Sequence, residues 1–477
     1  MTISMNFMKG KLIGNSFWAI VSSFFQNIIY SLFFIVIART YSTTEFSSYI
    51  IANTLYGMVM SFSSLGLSQW FIREIRQTDF RSALIVRFFK IQIVSGAFFY
   101  LVNILLCYFL YEATLVRNLS LLLGINILFD NIIYVFKTIN ISQYHQKRSF
   151  VITSIEALLK LFIAFMIFYS NMNLLFVVSM LIALRFLTLY LFLRYGLVER
   201  IDLRNVLTEG INFREMVKVL YEHIYFVIIG SVSVIYWSVG SLIASKMLHF
   251  DRVADYEISF KLFSMAEIVP VMVSASVFPI LVDKGKTNPV ERNSFFKKIF
   301  FAYTGYGLLV FTFIYSYAGF LIPNIFGEKY IQASAFCVEM FLTIIIFPTA
   351  LLQANLLVSM NMEKTDMWLN LLSLFLNVFI ALLGLYFIKQ LSVINYAIFV
   401  SFLCFHIAQD ILLVRAGVTK ISSSLIFYGG ILFLLLMFHF ISISISSPYI
   451  FFIFWIIMLV TVLTFYRKGI RAKSVIA

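Results

Sequence analysis

NLLFVVSMLIALRFLTLYLFL, residues 173–193, is an unbroken apolar run with a single charge, Arg185, near its centre. As a helix rising 1.5 Å per residue it spans roughly 30 Å, the thickness of a bilayer's hydrocarbon core. Outward from this stretch the same pattern recurs in both directions. Transmembrane helices are predicted at 12–38, 47–70, 84–110, 119–139, 150–169, 173–193, 218–246, 257–281, 297–322, 331–359, 367–388, 392–413, 424–445 and 448–466. The longest hydrophilic segment, Tyr195 to Val217, is too short to fold as a soluble domain. The chain therefore reads as all-α integral membrane with about 14 transmembrane helices, and transport is the first functional class to test.

Bulk composition agrees. Hydrophobic residues make up 61% of 477, charged residues 12%, and the mean hydropathy is +0.95, whereas soluble domains carry about 25% charged residues. A formal charge of +14 would ordinarily invite a nucleic-acid partner, but its placement points elsewhere. With Met1–Gly10 cytoplasmic and the helices alternating, most Lys and Arg gather on that side, as at Arg73/Arg76/Arg81, Arg200/Arg204/Arg214 and Arg467/Lys468/Arg471/Lys473. Arg39, Arg117, Lys246, Arg252, Lys329 and Lys389 fall on the other side. This is the positive-inside bias, with both termini cytoplasmic, and no nucleic-acid partner is expected. Lys9 and Lys11 precede an apolar run too long for a signal-peptide core, so the N-terminus reads as the first helix. Cys107, Cys337 and Cys404 lie in apolar segments without paired spacing; neither disulfides nor a metal site is expected.

An internal echo organises the helices. Helix 1 ends Ile37-Ala38-Arg39, followed by Glu45-Phe46-Ser47-Ser48-Tyr49. Helix 7 ends Ile243-Ala244-Ser245-Lys246, followed by Asp251 to Tyr256. The period covers six helices. An even number gives both halves one orientation, a parallel repeat about an axis along the membrane normal. The expected division is an N-terminal lobe at 1–194, a cytoplasmic linker at 195–217, a C-terminal lobe at 218–414, and helices 13–14 with a tail at 415–477.

These residues also resemble a known family. The pattern Ala38-Arg39 … Glu45-Phe46 … Tyr49, then Leu65-Gly66-Leu67 … Arg73-Glu74, is similar to the opening of polysaccharide exporters of the multidrug/oligosaccharidyl-lipid/polysaccharide superfamily. So are Tyr256 … Lys261-Leu262 … Pro270 … Phe278-Pro279 and Ile325-Phe326-Gly327-Glu328-Lys329-Tyr330 … Ala333. Taken in order, they resemble a Wzx-type O-antigen flippase over essentially the whole chain. Glu45-Phe46-Ser47 departs from the Phe-Gly that family members often carry there. The resemblance implies a MATE-like fold, two six-helix lobes plus two C-terminal helices. It implies a non-enzymatic transporter of the bacterial inner membrane, without cofactor, moving an undecaprenyl-pyrophosphate-linked oligosaccharide from the cytoplasmic to the periplasmic leaflet. Alternating access would rock the lobes about a cavity while the prenyl tail stays among membrane lipids, along helices 13 and 14. Contacts with polysaccharide polymerase machinery are a further implication.

Charge at bilayer depth is the residue-level signal, because an ionised group there costs at least about 2.5–3.5 kcal/mol. The deep cations are Arg39, Lys160, Arg185 and Lys261; the deep acids are Asp130, Glu156, Glu267 and Glu339. Glu156 and Lys160 are four apart and can pair on one face, as can Glu257 and Lys261. Arg39 and Arg185 have no acid at helical spacing. Arg39, Asp130, Lys160, Arg185 and Lys261 are the candidate substrate-binding residues, since guanidinium grips phosphate bidentately. The structural alternatives are an interhelical pair of Asp130 with Arg185 or Lys160, and snorkelling for Arg39. Glu267 and Glu339 lack basic residues at helical spacing and are candidates for proton or ion coupling; hydrogen bonding to neighbouring Ser or Asn is the alternative.

Uncharged stripes add Asn15, Ser22 and Gln26 on helix 1, Asn126, Asp130 and Tyr134 on helix 4, and Asn370, Ser373 and Asn377 on helix 11. They suit sugar hydroxyls or interhelical hydrogen bonds alike. Pro270, Pro279 and Pro348 should break or kink helices 8 and 10. His406 and Asp410 share a face of helix 12 without a third ligand in view. Two rival functions remain: a drug/cation antiporter of the same superfamily, and a membrane-embedded O-antigen polymerase or glycosyltransferase. The second needs a sizeable extramembrane loop that the sequence lacks.

Overall fold

The computed structural model describes residues 24–75, 81–170, 172–197, 224–444 and 449–460, with Trp18, Val21 and Tyr221 besides. Every regular element among the described residues is helical. The long helices are α1 Phe24–Thr40, α2 Thr43–Ser63, α3 Arg81–Leu110, α4 Thr114–Ser142, α5 Gln146–Tyr169, α6 Leu174–Tyr195 and α7 Ile224–Met247. There follow α8 Arg252–Thr287, α9 Pro289–Phe326, α10 Ala333–Ser359, α11 Glu363–Phe387, α12 Ser392–Arg415, α13 Ile421–Ser444 and α14 Ile450–Val460. Each lies on one of the apolar stretches read from hydropathy, and ten are long and apolar enough to cross a membrane. The chain is a multi-pass membrane protein of the all-α class. Asn15, Ser22, most of the 195–217 linker and the basic tail after residue 460 lie outside the described residues.

The chain divides into two compact units, Met1–Glu257 with Ala381–Leu391, and Ile258–Ile380 with Ser392–Ala477. In the first, polarity is arranged as lipid demands. Phe109, Phe162, Phe165 and Phe168 are exposed, while Gln92, Asn103 and Asn131 are buried. Lipid tails are as apolar as Leu, so burying Phe gives little drive; small and polar side chains hold the helices together instead. Gln92 donates to the Ser64 carbonyl at 3.0 Å, and Asn103 to the Ser120 carbonyl at 3.0 Å. Buried Ser47, Ser48 and Ala52 line α2.

A capping box starts α2. The Ser42 hydroxyl accepts from the Glu45 amide, and the Glu45 carboxylate accepts from the Ser42 amide at 3.1 Å. Leu65 and Gly66 end the run in the left-handed region, φ 56° and 57°. The chain thereby enters the short helix Ser68–Glu74, whose Trp70 and Phe71 pack on Phe88, Phe89, Phe136 and Phe192 of α3, α4 and α6. At the other end, the Thr44 hydroxyl donates to Asp251 at 3.1 Å. The turn between α1 and α2 thus touches the turn between α7 and α8, the two turns that echo each other in sequence.

The second unit is built around two prolines. Pro270 has no N–H for the carbonyl of Ala266, four residues earlier. The Tyr306 hydroxyl from α9 donates to that carbonyl at 2.6 Å, while Tyr303 donates to the Pro270 carbonyl at 3.0 Å. The Tyr306 hydroxyl thus satisfies what the proline frees. In α10 the break falls just before Pro348, where Thr343–Ile345 tighten into a 3-10 turn. Gly307 of α9 lets the backbones close there: a Cβ on it would stand 2.7 Å from the Ile344 carbonyl oxygen. The apolar core gathers Val277 and Leu281 of α8, Phe296 and Tyr303 of α9, Leu352 of α10 and Leu413 of α12.

Candidate functional site

Five helices of the first unit bring their sparse polar side chains to one place. Arg185, in the middle of α6, has no acid on its own helix and reaches across two others. Its Nη1 donates to both oxygens of Glu156 on α5, at 2.6 and 2.7 Å, and its Nε and Nη2 engage Oδ1 of Asp130 on α4. The remaining Asp130 oxygen accepts from the Tyr56 hydroxyl of α2. Arg185 is one-fifth exposed, with side-chain exposures of 5% for Asp130 and 9% for Glu156.

Lys160 extends the cluster. One turn from Glu156 on α5, its ammonium lies 4.3 Å from the Tyr30 ring centroid and 4.7 Å from that of Phe33, both on α1. Tyr30 is in electrostatic range of Glu156, Arg185 and Asp130, and so joins the two parts. Gln26, one turn earlier on α1, donates to Thr153 of α5 at 3.0 Å. Lys137, two turns from Asp130 on α4, is in range of Arg185, Glu156 and Asp130. Counted formally, three cations face two carboxylates. Beside the local Glu156–Lys160 spacing read from sequence, Glu156 is held across helices by Arg185, whose guanidinium takes two acids in a fork that an ammonium cannot form.

The other predicted residues are spread through the fold. Arg39 sits exposed at the end of α1, about 14 Å along the helix from Tyr30 at 1.5 Å per residue. Lys261 is part-buried on α8, and Glu257 is engaged by the Ser241 hydroxyl. Glu267 is part-buried and has no hydrogen bond or ion pair among the described residues. Glu339 is held by neutral donors from α12: Ser392 at 2.7 Å on one oxygen and Asn395 at 3.2 Å on the other.

Protein partners occupy much of the polar stripes. Tyr134 accepts from the Ser68 amide at 2.9 Å, Asn370 donates to Asp366 at 3.1 Å, and Ser373 donates to the Ser401 carbonyl at 3.0 Å. His406 is buried between the Tyr428 hydroxyl at 2.7 Å and the Thr349 hydroxyl at 3.0 Å. Among the described residues no group of three His, Cys, Asp or Glu side chains could hold a metal ion.

Sequence reasoning missed Tyr56, Tyr30 and Lys137. Lys137 was legible: seven residues from Asp130, it returns to the same helical face. The tyrosines gave no such signal, since an aromatic residue in a transmembrane helix is ordinary.

No protein-family profile and no curated protein sequence matches the chain. Solved structures do. A structure of lipid II flippase MurJ in an inward closed conformation aligns with 94% of this chain and 99% of its own, at TM-score 0.70 and 12% identity. An inward-facing multidrug resistance MATE family transporter of the MOP superfamily aligns over 83% and 96%, at TM-score 0.66 and 12% identity. A MOP superfamily transporter from Pyrococcus furiosus aligns over 86% and 95%, at TM-score 0.59 and 11% identity. The chain has the fold of MOP superfamily transporters. At these identities the likeness extends to the fold.

Proposed function

We propose that the protein is a flippase that moves an undecaprenyl-pyrophosphate-linked oligosaccharide, an O-antigen repeat unit, from the cytoplasmic to the periplasmic leaflet of a bacterial inner membrane. The observation that carries this reading is the full-length likeness to a lipid II flippase. That alignment takes in 94% of the chain, against 83–87% for the MATE structures. The difference, about 33 to 52 residues, is two helices or slightly more at about 20 residues each. The charge cluster supports it: Arg185, Lys137 and Lys160 outnumber Asp130 and Glu156, and an anionic diphosphate is drawn to such an excess. Substrate diphosphate would compete with Glu156 for Arg185 while sugar hydroxyls meet Tyr30 and Tyr56. Both termini are proposed to be cytoplasmic, and Glu267, which has no partner among the described residues, is proposed as the coupling carboxylate.

Complementation tests this reading. Expression in a strain lacking its own O-antigen flippase should restore surface polysaccharide, and proteoliposomes should flip a fluorescent lipid-linked oligosaccharide. The MATE likeness favours one rival, a drug or cation antiporter. Efflux of cationic dyes without complementation would replace the flippase reading with that one.

A further inference from the structure

The second unit holds a groove that the charge cluster does not involve. It lies between the first half of α9, the end of α12 and the first half of α13, and encloses about 420 Å³. Its wall is preformed. Phe300 packs 4.9 Å from Phe427, and Phe427 stacks on His406 at 5.4 Å with the planes 19° apart. His406 is itself pinned by Tyr428 and Thr349. A wall of locked aromatic rings keeps the space open rather than letting side chains collapse into it.

The lining changes character along its length. At one end of the lining are Lys297, two turns into α9, Asp410 near the end of α12, and Thr419, Ser423 and Ser424 around the start of α13; Leu308, Ile431 and Leu434 lie two to three turns further in. From Ser423 to Leu434 is about 17 Å at 1.5 Å per residue, close to half of a ~30 Å hydrocarbon core. The groove is thus polar at the membrane surface and apolar to the depth of one leaflet, the profile of a single lipid. Its polar end carries both signs. Lys297 makes no ion pair or hydrogen bond among the described residues. The Asp410 carboxylate is mostly buried beside the Ser424 hydroxyl. One cation and one anion at the mouth of an apolar slot match a headgroup with a phosphate and a primary amine.

We propose that this groove binds one phosphatidylethanolamine molecule of the surrounding bilayer, its phosphate on Lys297, its ammonium on Asp410 and one acyl chain along Phe301, Ile431 and Leu434. The amine is what selects the lipid. Phosphatidylcholine keeps the charge but has no N–H to donate to Asp410, and phosphatidylglycerol has no cation. The inference is independent of what the protein transports.

The test uses the purified, delipidated full chain in detergent, reading the thermal midpoint as phosphatidylethanolamine, phosphatidylcholine or phosphatidylglycerol with identical acyl chains is added. Phosphatidylethanolamine should half-stabilise at a concentration about tenfold or more below the other two, the worth of one charge-assisted hydrogen bond. Asp410→Asn should bring the three lipids to within about twofold of one another. Lys297→Met, at the exposed end of the groove, should weaken all three by about tenfold and preserve their order. A flat or phosphatidylglycerol-first order in the wild type, or an amine preference that survives Asp410→Asn, overturns the proposal. So does undecaprenyl phosphate binding as well as phosphatidylethanolamine, which would give the groove to the transported lipid. Should Asp410→Asn fail to fold, the wild-type order and Lys297→Met decide the matter alone.

Discussion

Arg185→Ala is the substitution with the most to say about this protein. It removes the guanidinium that bridges Asp130 and Glu156, two side chains that are 5% and 9% exposed. Breaking a buried ion pair from one side costs about 3–5 kcal/mol, because the surviving charge is left without compensation. Here two carboxylates survive, with Lys137 in range to offset part of their charge, so the middle of that range applies. Loss of transport by the Ala variant alone would therefore be ambiguous between lost substrate contact and lost stability. The companion variant is the neutral triple Asp130→Asn, Glu156→Gln, Arg185→Met, which removes the unpaired charges together. It should regain most of the thermal stability lost by Arg185→Ala, measured on purified protein in detergent. It should not regain complementation of a flippase-deficient strain at matched expression, because the guanidinium fork that would grip the diphosphate is gone and Lys137 and Lys160 offer only point charges. Arg185→Lys should keep part of the activity, since a point charge replaces the fork. Wild-type surface polysaccharide from either the Ala or the triple variant would refute a substrate-binding role and leave Arg185 as architecture.

Three further outcomes follow from the geometry. Tyr306→Phe removes the hydroxyl that satisfies the Ala266 carbonyl and should destabilise by about 1–3 kcal/mol; in a Pro270→Ala background, where the helix regains its own N–H, thermal melts should show most of that cost gone. Gly307→Ala places a Cβ 2.7 Å from the Ile344 oxygen and should cost about 1–3 kcal/mol through forced separation of α9 and α10, read as a lower melting midpoint than that of Gly305→Ala, where a Cβ meets open space. If Glu267 couples transport to protons, Glu267→Gln should remove the dependence of proteoliposome flipping on an imposed pH gradient. Glu339→Gln, at a carboxylate already held by Ser392 and Asn395, should preserve that dependence, and the opposite pattern would move the coupling role to Glu339.

The sequence by itself determined the number and placement of the helices and the matching turns near Thr44 and Asp251. It did so because the cost of exposing a peptide group to lipid is local: any 20-residue apolar run must close its hydrogen bonds as a helix wherever it lies in the chain. It also marked Arg185, Asp130 and Glu156 as buried charges in need of partners. The sequence offered Asp130 with Arg185 or Lys160 as interhelical alternatives, and the choice of Arg185 for both acids, with Tyr56 on Asp130, was decided only by the tertiary structure. Arg185 meets acids 55 and 29 residues away in sequence, and Asp130 meets a tyrosine 74 residues away. Helical spacing speaks only for neighbours three or four residues apart, so it favoured Glu156 with Lys160. Nor does an apolar pattern say which way a transmembrane helix faces. In water the hydrophobic side turns inward, but in lipid both sides of α6 are apolar, and the fork of one guanidinium selects which face turns in.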